Sequence, residues 1–583
     1  MQTKFLWLQD EKNRRLVFFI GLVALFILGA AYRVININTA LYGDEAQRVL
    51  KHSDPNWWYN LLNNLTSPPL AIGNVLMRRL LINIFPVEWV LRLQGLIPGL
   101  LSIWITYLLA KEIFRSRLVI LFTVAVVALN PRLVDYSKEL KIFMYEFFIC
   151  LLLVYFLVKY VKTQKVKYLT GCFLTALFAS VSAMPALFFL PVLFLLPMII
   201  SIQKKNYKQL AYTLSAGVVV FIVFLLHYIY IIYKPGDTNL LIKEYYEGFY
   251  VDKFSILGYI KWILLKLFRF GHYAISFDKM AMNRGFIPEI KYVIAFVSTV
   301  FYLGGIIILL RRRKWLYLSI FFSPILLLYF MSIIKKWPFE PDRMNIFIIG
   351  NFIFLFSFFL DYIRERVVGE FQVKSLLDVI SLKTSRLKLL PILIFLLFFG
   401  SQYAYNIRET AIKHNTEEIN RSLEYIYNNY PFGIVTANLT KKMHLAVYIS
   451  ISEPYKYYTV IHPHYSKKMG RFFKENFRYE MFGIYAPNKM YALDKNYYKK
   501  NIVQFLLTEK ITCFLMGKYI RYRMTEIHLI EKLAKMNVIK IIGKAVYRDS
   551  IFYAWQSNIY EGENLDNEKL KLLIEQKFQE LNR

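Results

Sequence analysis

An acidic pair, Asp44-Glu45, stands just past the first hydrophobic run of the chain, between Leu41 and Arg48. The sequence around it is overwhelmingly apolar. Two adjacent carboxylates at such a place either are solvated or take part in a reaction, since a carboxylate can accept a proton. Most Asp and Glu side chains are simply exposed. The pair alone is therefore weak evidence, and the case for function depends on the polar elements that follow it.

Three further polar elements fall between apolar runs. Each has an ordinary structural explanation, because proline pairs start helices, lysines snorkel to the membrane surface and arginines anchor spans at the interface. Alone, each is more often structural than catalytic. The elements are Ser67-Pro-Pro-Leu70, residues 130–141 with Tyr136, Glu139 and Lys141, and residues 337–343, which end at Arg343.

The composition indicates a polytopic membrane protein. Of the 583 residues, 57% are hydrophobic and only 19% are charged, which is too apolar for ordinary globular domains. Apolar runs such as 16–35 and 210–232 match the thickness of a bilayer core, and the first is long enough to remain as a span rather than a cleaved signal. The three cysteines have neither metal-ligand spacing nor the pattern of a disulfide framework.

The net charge of +33 is distributed as in a membrane protein rather than a nucleic-acid-binding protein, because basic clusters recur in every second loop. Taking those loops as cytoplasmic predicts about eleven spans and places 36–89, 134–142, 233–286, 334–345 and everything after 405 outside. Residues 71–85 and 255–276 are predicted to be helices lying along the membrane surface. The predicted spans are 16–35, 90–110, 118–133, 143–158, 168–183, 186–203, 210–232, 287–310, 315–333, 346–362 and 389–405.

After residue 405 the pattern is typical of a small α/β domain, so we expect a membrane domain over 1–405 and an extracytoplasmic domain over 406–583. Helices are predicted at 411–429, 525–536 and 565–581. Short β-rich runs are predicted to be strands at 433–437, 457–461, 511–516 and 538–547. No glycine-rich phosphate loop or dinucleotide fingerprint is present in this part of the sequence.

Taken in order, the polar elements resemble those of GT-C glycosyltransferases. The nearest branch is protein-O-mannosyltransferase-like and includes the aminoarabinose transferases and the RgtA/B/C/D-like enzymes. The resemblance is close over residues 16–200, looser up to Arg343, and does not extend to 406–583. Two positions differ, because the family usually has His where Ser67 stands and Arg where Lys141 stands. The matching elements are Asp44-Glu45, the Pro-Pro-Leu helix start, Leu91-Arg92-Leu93, Asn130-Pro131 and Tyr136-Ser-x-Glu139-x-Lys141.

The resemblance implies transfer of a sugar from a polyprenyl-phosphate donor to a glycan, lipid or protein acceptor on the outer face of the cytoplasmic membrane. It implies that Asp44 takes the acceptor's proton, with Glu45 and Glu139 orienting acceptor or sugar. Arg343 and Lys141 would hold the donor phosphate. Tyr136, Ser67 and Arg92 are expected to support the site, and a divalent cation such as Mg or Mn could share the work.

Two alternatives remain open from the sequence. A transporter or flippase of lipid-linked sugars would keep charged residues near the middle of the membrane, whereas here His227 is one of few ionisable side chains within a span. A non-catalytic scaffold that displays residues 406–583 would leave the outer acidic and basic residues unexplained. The sequence therefore favours chemistry at the membrane surface.

Overall fold

The computed structural model shows a predominantly helical protein. It describes residues 11–41, 43–62, 71–232, 256–275, 290–341, 343–371, 419–429, 443–448, 455–482, 511–517, 531–536, 539–546, 550–557 and 576. The helices up to residue 227 are α1 Glu11–Val34, α2 Gly43–Ser53, α3 Trp57–Leu62, α4 Ile72–Ile84, α5 Glu88–Leu91, α6 Leu93–Ile113, α7 Arg117–Leu129, α8 Pro131–Ser137, α9 Phe143–Thr163, α10 Val166–Ser182, α11 Leu190–Gln203 and α12 Tyr207–His227.

The later helices and the strands follow the same chain order. The helices are α13 Ile256–Ile275, α14 Ile290–Arg311, α15 Trp315–Ile333, α16 Ile349–Phe371, α17 Ile419–Asn429 and α18 Arg471–Asn476. The strands are β1 Met443–Tyr448, β2 Phe477–Phe482, β3 Ile511–Gly517, β4 Ile539–Val546 and β5 Ser550–Ser557. Short 3₁₀ or π turns occupy Met184–Phe188, Tyr228–Ile232, Arg343–Ile348, Tyr457–Ile461 and Ser466–Gly470.

Several of these helices are long and apolar enough to cross a membrane. Within the described part of the chain, seven meet that standard alone, and the bent pair α7–α8 would make an eighth. The predicted polytopic helical class is therefore confirmed. Ten of the eleven predicted spans coincide with helices, although the span at 168–183 falls on a helix of 17 residues, and the span at 389–405 lies outside the described residues.

The two helices predicted at the membrane surface are also present, as α4 and α13, and neither qualifies as a span. His227, the ionisable residue that a transporter could use, has a structural role at the start of α4. Its Nε2 accepts a hydrogen bond of 3.2 Å from the Ile72 amide. A helix start leaves its first amides without partners inside the helix, so this imidazole satisfies one of them.

The chain divides into two compact units. Unit 1 comprises Met1–Ile37, Trp58–Met77 and Arg92–Lys413, and unit 2 comprises Asn38–Trp57, Arg78–Leu91 and His414–Arg583. Unit 1 is built around one apolar core to which α6, α7, α9 and α16 contribute. Aromatic stacking is frequent there, as between Phe301 and Phe356, whose ring centroids are 4.6 Å apart.

Unit 2 contains a five-stranded mixed sheet in the order β2-β1-β3-β5-β4. β1 pairs in parallel with β2 and β3, and β5 pairs antiparallel with β3 and β4. The strands predicted at 511–516 and 538–547 correspond to β3 and β4, whereas β1, β2 and β5 were not predicted. The predicted strand at 433–437 and most of the helix at 565–581 lie outside the described residues.

One local prediction for unit 2 is wrong. The β-rich run at 457–461 forms a π-helical turn rather than a strand. Tyr457 and Tyr458 are both fully buried on that turn, although alternation along a strand would have put them on opposite faces. Their hydroxyls bond to groups near residues 41 and 88, so tertiary contacts override the β propensity of the run.

Candidate active site

Asp44 and Glu45 lie in the first turn of α2, where the helix dipole favours negative charge. Asp44 is exposed, while Glu45 is fully buried. The spacing explains the difference, because Glu45, Val49 and His52 follow one another at i, i+4 and i+7 and all three are buried. Asp44 falls outside that stripe. The two adjacent carboxylates are therefore suited to different tasks.

The Glu45 carboxylate interacts electrostatically with Arg78, which is buried against His52 in unit 2. Arg78 is fully buried, and its Nη1 lies 3.0 Å from His52 Nδ1. Burial, and to a lesser extent the charge of Arg48, lower the pKa of Arg78 to about 9, although the Glu45 charge raises it. Burial and the charge of Arg78 lower the pKa of His52 to about 2, so His52 is neutral and its Nδ1 accepts from the guanidinium. Glu45 thus compensates a buried cation.

In unit 1, the break between α7 and α8 directs the chain toward Glu139. Asn130 caps α8, with Oδ1 accepting from the Arg132 and Leu133 amides at 3.0 and 3.3 Å. Pro131 occupies the first position of α8, where a missing amide proton costs little. Asn130 Nδ2 also donates to the Ala274 carbonyl at 3.1 Å, which ties the break to the end of α13. The Asn-Pro motif is thus a structural device.

Arg33 binds carbonyl groups at this break, and the sequence analysis did not identify it as a functional or structural residue. The α-helical partner of the Val127 carbonyl would be the amide of residue 131, which is proline and has none. The fully buried Arg33 donates to the Val127 and Ala128 carbonyls at 3.0 and 2.6 Å and, through Nε, to Ser137 Oγ at 3.2 Å. The available signal was a lone arginine at the end of the first apolar run.

Glu139 and Lys141 are brought together in the loop after α8. Lys141 Nζ lies 3.3 Å from Glu139 Oε2, and the Lys141 side chain is almost fully buried. Tyr136 is buried on α8, with its ring packed edge-on to Phe143. The loop is held close to α6, because a Cβ on Gly95 would lie 2.9 Å from the Glu139 carbonyl oxygen. Glycine at position 95 therefore permits the close approach that fixes Glu139.

Arg92 and Arg343, the two predicted arginines, differ in exposure. Arg92 is buried and donates to the Ile37 carbonyl at 2.7 Å, so it organises the backbone after α1. Arg343 is exposed at the start of its 3₁₀ turn. The loop before it is fixed by Asn345, whose Nδ2 donates to the carbonyls of Pro338 and Glu340 at 2.7 Å each. Arg343 therefore projects from a rigid loop.

Glu340, in that same loop, forms ion pairs with two basic residues of α13, Lys266 and Arg269. Glu340 and Lys266 are both buried, so the pair ties the Arg343 loop to α13. The sequence predicted that α13 lies along the membrane surface, but it did not predict this partner. Although Arg269 is paired with Glu340, its side chain remains half-exposed.

The predicted site residues are therefore divided between the units. Asp44 and Glu45 belong to unit 2, whereas Arg92, Tyr136, Glu139, Lys141 and Arg343 belong to unit 1. Ser67 lies outside the described residues. Over the part of the chain that the structure describes, no three or more His, Cys, Asp or Glu side chains are grouped so that they could hold a metal ion.

A family match covers the segment that contains Arg92, Tyr136, Glu139 and Lys141. Residues 72–230 match the sequence model of dolichyl-phosphate-mannose-protein mannosyltransferases. The match confirms the resemblance to GT-C glycosyltransferases that the order of motifs indicated. Because the matched family consists of enzymes, the transporter and scaffold alternatives are not favoured. No curated protein matches this chain in sequence.

The solved structures that match this chain share little sequence with it. ArnT from Cupriavidus metallidurans in the apo state is 13% identical over 93% of this chain and 98% of its own, with a TM-score of 0.46. The same protein bound to undecaprenyl phosphate is 12% identical over 94% and 98%, with a TM-score of 0.42. The Archaeoglobus fulgidus oligosaccharyltransferase, in complex with Zn and sulfate, is 13% identical, with a TM-score of 0.42. The match covers 73% of this chain but only 60% of the length of the oligosaccharyltransferase.

Proposed function

We propose that this protein, a glycosyltransferase of the kind that its residues 72–230 match, transfers a sugar from a polyprenyl-phosphate donor to an acceptor on the outer face of the cytoplasmic membrane. In this proposal residues 1–405 form the membrane domain and 406–583 are extracytoplasmic. The acceptor is a glycan, a lipid or a protein. The proposal depends above all on one observation, the exposure of Asp44 at the start of α2 beside the enclosed Glu45.

Asp44 is the proposed general base. In the transfer, an acceptor hydroxyl attacks the anomeric carbon, the bond from that carbon to the phosphate oxygen breaks, and the hydroxyl proton passes to the Asp44 carboxylate. Polyprenyl phosphate leaves as an anion of low basicity, so no acid is required to protonate it. Only an exposed carboxylate can reach a diffusing acceptor, and Asp44 is exposed. Glu45, which is enclosed and compensates Arg78, is proposed to act through the position of α2.

The donor side is proposed to involve Arg343 and the Glu139–Lys141 pair. Arg343 is exposed at the end of a rigid loop, and a guanidinium binds phosphate through paired hydrogen bonds. Lys141 is ion-paired with Glu139, so its ammonium is held in place before any phosphate arrives. Negative charge grows on the leaving phosphate in the transition state, which fixed cations stabilise.

The proposal is tested by Asp44→Asn, with Asp54→Asn as the matched control. Asp54 is another carboxylate of unit 2, and its Oδ1 accepts from the Asn56 amide at 2.8 Å, which an asparagine can also do. Each variant is returned to a deletion strain, and the surface glycans and lipids are compared by mass spectrometry. We expect wild type and Asp54→Asn to restore a sugar that the deletion strain lacks, while Asp44→Asn does not.

Purified Asp44→Asn should transfer the sugar about 10²- to 10⁴-fold more slowly than wild type, which is the usual contribution of a general base. Its amount in the membrane should equal that of the control. Transfer within about twofold of wild type would remove Asp44 from the mechanism on the same scale. A deletion strain with unchanged glycans and lipids would contradict the proposed function itself.

A further inference from the structure

A buried polar cluster in unit 2 connects residues that lie far apart in the sequence. Glu88, at the start of α5, is almost fully buried. Tyr458 Oη donates to its Oε1 at 2.8 Å, and His462 Nε2 lies 3.3 Å from its Oε2. Burial would raise the pKa of Glu88, but the hydrogen bonds from His462 and Tyr458 hold it below its ordinary value. Glu88 is therefore an ionised acceptor for two donors.

The hydrogen bonds around His462 determine its tautomer. Its Nδ1 faces the amides of His464 and Tyr465, which donate to it at 3.2 and 3.3 Å. An Nδ1 that accepts must be unprotonated, so the proton is on Nε2 and is donated to Glu88. Both the position and the direction of the hydrogen bond to Glu88 are thus set by the backbone of residues 464–465.

Tyr458 passes this arrangement on to the segment that carries Asp44. Its hydroxyl donates to Glu88 and accepts from the Leu41 amide at 3.1 Å, so the three groups form one chain of hydrogen bonds. A negatively charged acceptor at the end of such a chain strengthens the bonds before it. Leu41 lies three residues before Asp44, and α2 packs against the turn Tyr457–Ile461.

Leu41 is fully buried, so its amide requires a partner inside the protein. That partner comes from a residue 417 positions away rather than from the neighbouring backbone. The entry of the chain into α2 is consequently fixed by a side chain of the C-terminal part of the protein.

We propose that Tyr458, oriented by Glu88 and His462, is a positioning residue for the Asp44 carboxylate, and this inference rests on the proposed function. Through the Leu41 amide it holds the start of α2 in the orientation that proton transfer requires. The C-terminal part of the chain is then a component of the catalytic apparatus rather than only an attached domain.

Tyr458→Phe tests this inference, and Tyr457→Phe is its matched control. Both tyrosines are fully buried on the same turn, and each substitution removes one hydroxyl. The Tyr457 hydroxyl donates to the Pro86 carbonyl at 2.8 Å, whereas the Leu41 amide donates to Tyr458. Two measurements are made on the purified full-length proteins: amide hydrogen exchange over residues 38–57, and sugar transfer at varied donor concentration.

We expect exchange over residues 38–57 to become faster in Tyr458→Phe but not in Tyr457→Phe. The kcat of Tyr458→Phe should fall about tenfold or more, with KM for the donor within about twofold, because misplacing a catalytic group mainly slows the chemical step. Unchanged exchange in Tyr458→Phe, or equal losses of kcat in the two variants, would overturn the inference. If wild type transfers no sugar, the proposed function fails, while the exchange measurement still decides whether Tyr458 holds this segment.

Discussion

The two units hold their candidate acidic residues in different ways. In unit 1, Glu139 is positioned by the backbone. Arg33 binds the carbonyls that the break at Pro131 leaves without helical partners, and Gly95 permits the close approach of the Glu139 loop. In unit 2, the start of α2 is held by side-chain hydrogen bonds from Tyr458 and Glu88. Backbone devices require particular residue types at a site, whereas a side-chain network can be built from many combinations of polar residues. The first arrangement therefore depends on residue types that can be recognised in a sequence once their role is known, whereas the second does not.

The largest effect on stability should come from removing Arg33. Arg33→Met keeps most of the side-chain volume but leaves the buried carbonyls of Val127 and Ala128 without this donor. An unsatisfied buried acceptor costs about 1–3 kcal/mol, so we expect a loss of about 2 kcal/mol or more in unit 1. Thermal unfolding of the purified protein in detergent measures it, and Arg33→Lys should recover only part of the loss because it lacks the planar fork.

Arg132→Met is the control for this experiment. Arg132 lies just beyond the same break, but its guanidinium is stacked over the Tyr273 ring at 4.1 Å. Such a contact is worth about 0.5–2 kcal/mol, depending on its exposure. If Arg33→Met lost no more stability than Arg132→Met, the hydrogen bonds from Arg33 to the carbonyls at the break would not stabilise unit 1.

Gly95→Ala should reduce stability less than Arg33→Met and should mainly lower the rate of sugar transfer. The new Cβ would meet the carbonyl oxygens of Glu139, Tyr136 and Ser137 at 2.9, 3.0 and 3.1 Å, and these are backbone atoms that cannot rotate away. The loop must therefore shift by a few tenths of an ångström, and overpacking of this kind costs about 1–3 kcal/mol. We expect sugar transfer to fall more than the amount of folded protein.

Gly21→Ala serves as the comparison for Gly95→Ala. Gly21 lies on α1, where a Cβ would meet only the flexible end of Leu121 at 3.5 Å, which is an ordinary contact. It should leave transfer unchanged and raise helix stability by up to about 1 kcal/mol. Equal transfer rates in the two alanine variants would show that the position of the Glu139 loop does not limit the reaction.

The sequence predicted the class of fold and the elements that depend on local residue types. Apolar runs and basic loops located the membrane helices, but the predicted span 118–133 runs through the break between α7 and α8 at Asn130-Pro131. It did not predict the exposure of Asp44 relative to Glu45, although the spacing of Glu45, Val49 and His52 contained that information. The Tyr457–Ile461 turn could not be predicted, because its conformation depends on partners more than 350 residues away.

The smallest expected effect is confined to acid pH and concerns Glu88. Hydrogen bonds from His462 and Tyr458 lower the pKa of this carboxyl from its ordinary value of 4.5 although burial opposes them. In the unfolded chain the carboxyl takes up its proton near that ordinary value, whereas the folded state does so only at lower pH. The stability that Glu88 contributes is therefore fully present above about pH 4.5 and is lost as the pH falls through its folded pKa. Glu88→Gln cannot titrate, so its unfolding temperature should fall less steeply between neutral and acid pH than that of wild type.

Glu475→Gln is the control, since Glu475 forms an exposed ion pair with Arg471 at 2.7 Å, and exposed pairs contribute little. If the unfolding temperatures of wild type and Glu88→Gln fell in parallel toward acid pH, the buried carboxylate would not stabilise unit 2. The two units would then differ in packing alone.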